Sequence, residues 1–170
     1  MKQKFIDYYM KVAKLTAELS HAVRLKVGAI IVKDDRVVSI GYNGMPSGWD
    51  NVCEIMELLP FNSTLTWHDK VTQYPYITTF WRDGHNVDQR YRLITKPEVL
   101  HAESNCISKL AKSNESGDGA DLFVTHSPCI DCAKLIYQSG IKRVYFGDHY
   151  RSNDGVDFLK TSGIEVIKHG

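Results

Sequence analysis

Hydrophobic and polar positions divide the chain into alternating helical and extended segments. Between residues 5 and 19, apolar side chains recur at the spacing of an amphipathic helix. Two β-branched runs, 27–32 and 36–40, flank a turn at 34–35 and predict a hairpin. The pattern further predicts helices over 101–112, 129–138 and 153–161, and strands over 121–125, 142–146 and 164–167. This alternation indicates an α/β fold with parallel pairing and helices on the sheet faces.

The segment from about 47 to 97 has no clean period. It carries all three tryptophans, and its aromatic content argues against disorder. A short helix around 53–59 is the regular element that we expect in it. An irregular segment of this length inside one domain is uncommon and usually functional. We therefore expect one domain over 1–170, with a long insertion at about 47–97 that acts as a lid or a binding loop.

Composition describes an ordinary globular chain. The 170 residues carry a formal net charge of +1, with 43% apolar and 24% charged residues, which argues against a polybasic surface that tracks nucleic acid. No apolar run approaches the ~20 residues that span a bilayer, and the N-terminus lacks a signal-peptide core. Four unevenly spaced cysteines do not make a secreted disulfide framework. We expect a cytoplasmic protein with reduced thiols, no nucleic-acid partner and no membrane.

Two short segments supply the side chains of an open zinc site. They are His101-Ala102-Glu103 and Pro128-Cys129-Ile130-Asp131-Cys132. Zinc prefers a tetrahedral shell of nitrogen and sulfur, and a catalytic zinc keeps one position for water, whose pKa it lowers to about 7. Cys129 and Cys132 stand at i and i+3 at the start of a predicted helix, so both sulfurs share one face. Ser127 is the expected N-cap of that helix, with Pro128 at its first position.

Glu103 is placed to move protons rather than to bind the metal. Position i+2 on a helix is rotated by about 200° from position i, which takes Glu103 away from the ligand face of His101. Cys106, at i+5 from His101, points elsewhere and is expected in the core. A carboxylate that is not a ligand is the group that a hydrolytic zinc site needs for acid–base work.

The same residues admit other interpretations. A lone Cys-x-x-Cys could form a thioredoxin-like redox pair, although here the proline precedes the motif. A closed structural zinc would need a fourth ligand. A zinc-stabilised binding module would make no use of Glu103.

The pattern H-x-E…P-C-x-x-C is the signature of zinc nucleobase deaminases. Over most of its length the chain resembles the deoxycytidylate deaminases of the cytidine-deaminase-like superfamily. Segments 24–29, 41–46 (Gly-Tyr-Asn-Gly-Met-Pro), 138–142 and 150–151 carry this resemblance together with the zinc region. It implies a three-layer α/β/α sandwich around a five-stranded mixed sheet, and hydrolysis of dCMP to dUMP and ammonia. It also implies a homohexamer activated by dCTP with Mg²⁺ and inhibited by dTTP.

The resemblance also assigns residues. It places the zinc ligands at His101, Cys129 and Cys132, and the proton shuttle at Glu103. Its substrate-binding positions are Arg24, Lys26, Asn43, Ala102, Ser127, Tyr150 and Arg151. A monophosphate needs guanidinium or ammonium donors, and Arg24, Lys26 and Arg151, with the Tyr150 hydroxyl, are the candidates for it. The turn of Gly41, Tyr42, Asn43 and Gly44 would belong to a nucleotide effector site or adjoin one.

The sequence departs from some relatives in one respect, and two rival functions remain open. Some virus-encoded relatives hold a second, structural zinc, but residues 21–23 offer no thiol for it; we expect one zinc per subunit, with Cys53 and His85 as remnants or loop residues. One rival function is deamination of a base in single-stranded nucleic acid, with Trp67 and Trp81 as stacking platforms. Deamination of another cytosine nucleotide is the second rival. The near-zero net charge argues against the first.

Overall fold

The computed structural model describes residues 1–170 and contains two β-sheets. The helices are α1 (Gln3–Ala17), α2 (Trp67–Gln73), α3 (Ala102–Leu110), α4 (Ile130–Gln138) and α5 (Asp154–Thr161). The strands are β1 (Gly28–Lys33), β2 (Arg36–Tyr42), β3 (Glu54–Leu58), β4 (Tyr76–Arg82), β5 (His85–Thr95), β6 (Asp121–His126), β7 (Arg143–Asp148) and β8 (Glu165–Lys168). None of the helices has the length and apolar character needed to cross a membrane.

The larger sheet has the order β2-β1-β6-β7-β8 and is mixed. β1 runs antiparallel to β2 and β6, whereas β6, β7 and β8 are parallel. The predicted hairpin is confirmed: Asp34 and Asp35 both have positive φ, as in the two-residue turns that join antiparallel strands. Parallel pairing is therefore confined to the strands that α4 and α5 connect, because only a crossover connection permits it. The expected five-stranded mixed sheet is confirmed.

Alternate side chains of the sheet pack against helices on opposite faces. Ile30 lies with Phe123 and Tyr145 against α1, in a cluster that includes Met10. Its neighbour Ile31 lies on the other face, in the cluster that α3, α4 and α5 cover. One helix therefore covers one face and three helices cover the other, which confirms the three-layer arrangement.

The inserted segment forms a second sheet, and the expectation of an irregular segment is wrong. Its three antiparallel strands have the order β3-β5-β4, and α2 precedes β4. The helix expected around 53–59 is also wrong: these residues form β3, which pairs with β5 from Glu54 opposite Thr95 to Leu58 opposite Tyr91. Pairing with β5 satisfies their backbone groups, and such tertiary pairing overrides local helix propensity. A turn at 83–84, with positive φ at both residues, joins β4 to β5.

Candidate active site

Both ligand-bearing segments cross from a loop into a helix. His101 is the N-cap of α3 and Cys129 is the N-cap of α4, each with extended backbone angles. The expected N-cap role of Ser127 is therefore wrong, since α4 begins two residues later than that role requires; Ser127 instead accepts a hydrogen bond from the backbone N–H of Tyr150 at 2.7 Å. The site lies beside His126, where the parallel strand β6 ends, which is the end of such strands where ligands bind.

The three predicted ligand atoms converge on one point. Sγ of Cys129 and Sγ of Cys132 each lie 3.5 Å from Nδ1 of His101, and all three atoms lie within 4.8 Å of one another. Tetrahedral zinc with ordinary bond lengths holds nitrogen and sulfur ligands about 3.6 Å apart. One nitrogen and two sulfurs at this spacing fit a zinc ion that keeps a fourth position open.

The two thiols of the group have pKa values shifted in opposite directions. Hydrogen bonds with the Cys132 thiol and the His101 ring lower the pKa of Cys129 to about 4. The pKa of Cys132 is raised by its hydrogen bond to Cys129 and by burial. The lowered pKa favours the thiolate form of Cys129, which is the form that binds metal, and a bound dication would favour ionisation of Cys132 as well.

Glu103 lies next to this group and is almost fully buried, with 4% of its surface exposed. Burial raises its pKa to about 7. Its place relative to the ligands follows from the loop-to-helix junction, because His101 is the N-cap and Glu103 is the second residue of α3. The rotation of about 200° expected between positions 101 and 103 therefore does not apply, because His101 is not helical. Cys106 is fully buried in the main core, as expected.

A cavity of about 280 Å³ lies beside the group of His101, Cys129 and Cys132. His101, Glu103 and Cys129 form part of its wall. Six of the seven predicted substrate residues line it: Arg24, Asn43, Ala102, Ser127, Tyr150 and Arg151. Lys26 is exposed and lies outside this lining. The guanidinium of Arg151 lies 5.5 Å from the ring of Tyr150, so one wall combines a cation with an aromatic face.

Asn43 fixes the backbone at Leu25 and Val27, which form another part of the cavity wall. Its Oδ1 accepts a hydrogen bond from the backbone N–H of Val27 at 2.7 Å, and its Nδ2 donates to the carbonyl of Leu25 at 2.8 Å. Both ends of the amide therefore fix the segment that leads into β1. Each end keeps capacity for one further hydrogen bond, so contact with a substrate remains a prediction.

The turn predicted as an effector site is attached to α3. A Cβ at Gly41 would overlap the carbonyl oxygen of Ala102, so only glycine lets β2 approach the helix this closely. The carbonyl of Tyr42 accepts a hydrogen bond from Asn105 at 3.0 Å, and Gly44 pairs with Leu100 as an isolated bridge. The turn therefore contacts the helix that carries Glu103.

Three polar residues of the cavity lining were missed in the sequence. Glu54 and Thr95 come from the inserted sheet and line the cavity beside Arg24. His126 lies two residues before Pro128 of the cysteine motif, and burial lowers its pKa; a titratable side chain at that position was a signal in the sequence. The exposed Trp67 and Trp81 do not line the cavity.

The residues suggested as remnants of a second zinc site lie in different surroundings. Cys53 is buried in a small apolar cluster with Ala22 and Val99. His85 is exposed at the start of β5, next to the turn at 83–84. The prediction of one zinc per subunit remains untested.

Known proteins share both the sequence and the fold. A family model described as the cytidine and deoxycytidylate deaminase zinc-binding region matches residues 3–148. The deoxycytidylate deaminase of Enterobacteria phage T4 is 35% identical over 167 residues, covering 93% of this chain and 86% of that protein. The human deoxycytidylate deaminase is 36% identical over 151 residues, covering 87% of this chain and 67% of that protein. The crystal structure of the dCMP deaminase from cyanophage S-TIM5 in complex with dCMP and dUMP is similar with a TM-score of 0.76 and 40% identity, covering 99% of both chains. With these matches and the His/Cys/Cys group in place, the chain belongs to the cytidine and deoxycytidylate deaminase family.

Proposed function

We propose that this protein is a zinc-dependent deaminase that hydrolyses dCMP to dUMP and ammonia. One observation carries the proposal: the group of His101, Cys129 and Cys132 lies beside a buried carboxyl group, in a cavity whose lining also includes two arginines, Arg24 and Arg151. The cyanophage relative, whose crystal structure contains dCMP and dUMP, supports the choice of nucleotide.

Glu103 carries the proton transfers of this reaction. When bound, zinc supplies a Lewis acid that makes a water molecule nucleophilic near neutral pH. The Glu103 carboxylate accepts a proton from the attacking water, delivers it to the ring nitrogen, and helps a further proton reach the departing amine. Water thus adds its oxygen to the pyrimidine and ammonia leaves, so that dCMP and water give dUMP and ammonia. A carboxyl group whose pKa burial raises to about 7 suits a role that needs both protonation states.

The rest of the cavity is suited to the nucleotide. Arg24 and Arg151 provide guanidinium groups, each of which can donate two parallel hydrogen bonds to phosphate oxygens. The Tyr150 hydroxyl adds a donor. Asn43, Ala102 and Ser127 would contact the sugar and base. The proposal does not use Lys26, because it lies outside the lining.

Regulation and assembly form a further part of the proposal. We infer activation by dCTP with Mg²⁺, inhibition by dTTP, one zinc per subunit, a homohexamer and a cytoplasmic location. The contact of Gly41 and Tyr42 with α3 supports a regulatory role of the turn 41–44. A nucleotide bound at this turn would act on the helix that carries Glu103.

An ammonia-release assay tests the proposal. Cytidine, CMP, dCMP and dCTP are compared, each with and without dCTP or dTTP as an effector. We expect the highest kcat/KM with dCMP, a sigmoidal dependence on its concentration, and suppression by dTTP. Glu103→Ala should abolish turnover and keep zinc bound, because Glu103 is not a ligand.

Two results would contradict the assignment. Full activity of Glu103→Ala on every cytosine nucleotide would exclude the mechanism. Salt-dependent binding of a single-stranded oligonucleotide without turnover of dCMP would favour deamination within nucleic acid instead.

A further inference from the structure

We propose that Glu54 and Thr95 of the inserted sheet are positioning residues that hold Arg24 in place for the phosphate of the substrate. This inference rests on the proposed function, because it requires that Arg24 meets a nucleotide phosphate. Both residues act through Arg24 rather than on the reacting atoms.

The two residues form one cross-strand pair and hydrogen-bond both the backbone and the side chain of Arg24. Glu54 and Thr95 stand opposite each other in the ladder between β3 and β5. Oε1 of Glu54 accepts backbone hydrogen bonds from Val23 at 3.0 Å and Arg24 at 3.2 Å. Oγ1 of Thr95 accepts a hydrogen bond from Nη1 of Arg24 at 2.9 Å. The pair of Glu54 and Thr95 therefore fixes both the main chain and the guanidinium of Arg24.

Arg24 depends on these contacts because it lies outside regular secondary structure. It lies in the connection between α1 and β1, and its side chain is exposed. Glu54 is only 9% exposed, and its strand gives the acceptor a fixed position. An arginine that is already ordered loses less rotamer freedom when it binds phosphate. The smaller entropy cost makes the binding tighter.

This arrangement gives the inserted sheet a role in substrate affinity. Glu54, Thr95 and Arg24 line the same cavity as His101. The side-chain contact of Arg24 with Thr95 spans 71 positions of the chain. A change in the inserted sheet would therefore alter KM for dCMP and leave the proton transfers at Glu103 intact.

Substitution of Thr95 tests the guanidinium contact. We expect Thr95→Val to raise KM for dCMP about tenfold, with kcat within about twofold of the wild type, because it removes one charge-assisted hydrogen bond. Thr95→Ser restores the acceptor and should restore KM. Thr79→Val is the matched control: Thr79 lies on the same sheet, and its hydroxyl is bonded to Asp88 at 2.6 Å, outside the cavity lining.

Substitution of Glu54 tests the main-chain contacts. Glu54→Gln keeps an oxygen acceptor for the two backbone N–H groups and should keep KM near the wild-type value. Glu54→Ala removes the acceptor and should raise KM as Thr95→Val does. Thermal unfolding and zinc content are measured for every variant, so that a folding defect is distinguished from a change in KM.

A double-mutant cycle with Arg24→Ala decides the question. If Thr95 acts through Arg24, then Thr95→Val has no further effect on KM in the Arg24→Ala background. An equal fold-change in both backgrounds, or a loss confined to kcat, would overturn the positioning role. A wild-type KM in Arg24→Ala would overturn it too, while leaving the deaminase assignment standing. Absence of dCMP turnover in the wild-type protein would instead refute the proposed function itself.

Discussion

The hydroxyl oxygen of Ser127 accepts a hydrogen bond from the backbone nitrogen of Tyr150 at 2.7 Å. Ser127 is buried and comes just before the ligand Cys129. Tyr150 follows β7 and begins the cavity wall that also carries Arg151. This single bond therefore connects the zinc loop to the part of the cavity that we assign to the phosphate.

Loss of that bond should weaken substrate binding. We expect Ser127→Ala to raise KM for dCMP about fivefold, because one buried hydrogen bond contributes about 1 kcal/mol, and to keep one zinc per chain. Steady-state kinetics and metal analysis check this. Ser162→Ala, at the C-cap of α5, is the control. Loss of zinc with an unchanged KM would contradict the role given to Ser127.

A side chain at Gly155 should loosen the zinc loop. A Cβ at Gly155 would overlap the backbone of Pro128 and Cys129, so Gly155→Ala forces that loop to move. We expect a loss of about 1–3 kcal/mol in the free energy of unfolding, as in overpacked cores, and weaker zinc binding in chelator competition. Gly44→Ala is the control, since its Cβ would meet only a ring carbon of Tyr42 at 4.0 Å. An unchanged zinc affinity in Gly155→Ala would show that the loop adapts.

Cys132 and Cys106, two of the three buried cysteines, should respond differently to the same substitution. Cys132→Ser replaces a sulfur ligand by a poorer one, so zinc should be lost on dialysis. Cys106→Ser leaves the ligands intact and places a hydroxyl in the apolar core, which should cost about 1–3 kcal/mol. Metal analysis and urea unfolding of the two variants measure this contrast. Loss of zinc from a folded Cys106→Ser variant would place Cys106 among the ligands.

In the metal-free protein, Glu103 should contribute a loss of stability as the pH rises, against an opposite contribution from Cys129, whose pKa is lowered, so the difference between the wild type and Glu103→Gln isolates it. Burial raises the pKa of Glu103 from 4.5 to about 7, so the folded state binds the proton more tightly than the unfolded state. The stabilisation is complete below pH 4.5 and is lost between pH 4.5 and about 7. A shift of this size corresponds to about 3 kcal/mol.

Urea unfolding of the zinc-free protein across this range checks the prediction. Glu103→Gln should remove this part of the pH dependence, because the amide does not titrate. Glu98→Gln, which changes an exposed carboxyl group, should retain it. If the free energy of unfolding changed equally with pH in the wild type and in Glu103→Gln, the pH dependence would belong to other groups.

The zinc site could be predicted because its chemistry is local in the sequence. Cys129 and Cys132 are three residues apart, and Glu103 follows His101 by two. The inserted sheet was harder. Residues 54–58 include helix-forming Glu, Met and Leu, and only pairing with β5 makes them a strand. The Asp-Gly pair at 83–84 was a usable hairpin signal.

The contacts around Arg24 could not be predicted in this way. Glu54 and Thr95 carry no motif, and their positions depend on the register between β3 and β5. A side-chain bond across 71 positions has no counterpart in local periodicity. For the same reason Glu54 and Thr95 were absent from the candidates.

The turn at 83–84 lies at the far end of β5 from Thr95. The strand has 11 residues, which places the turn about 33 Å along the strand from the residue that contacts Arg24. Exposed hairpin tips accept inserted peptides well. A fluorescent label or an affinity peptide encoded at Gly84 would therefore leave the nucleotide cavity intact, and the enzyme could be followed or immobilised through this tip while it works.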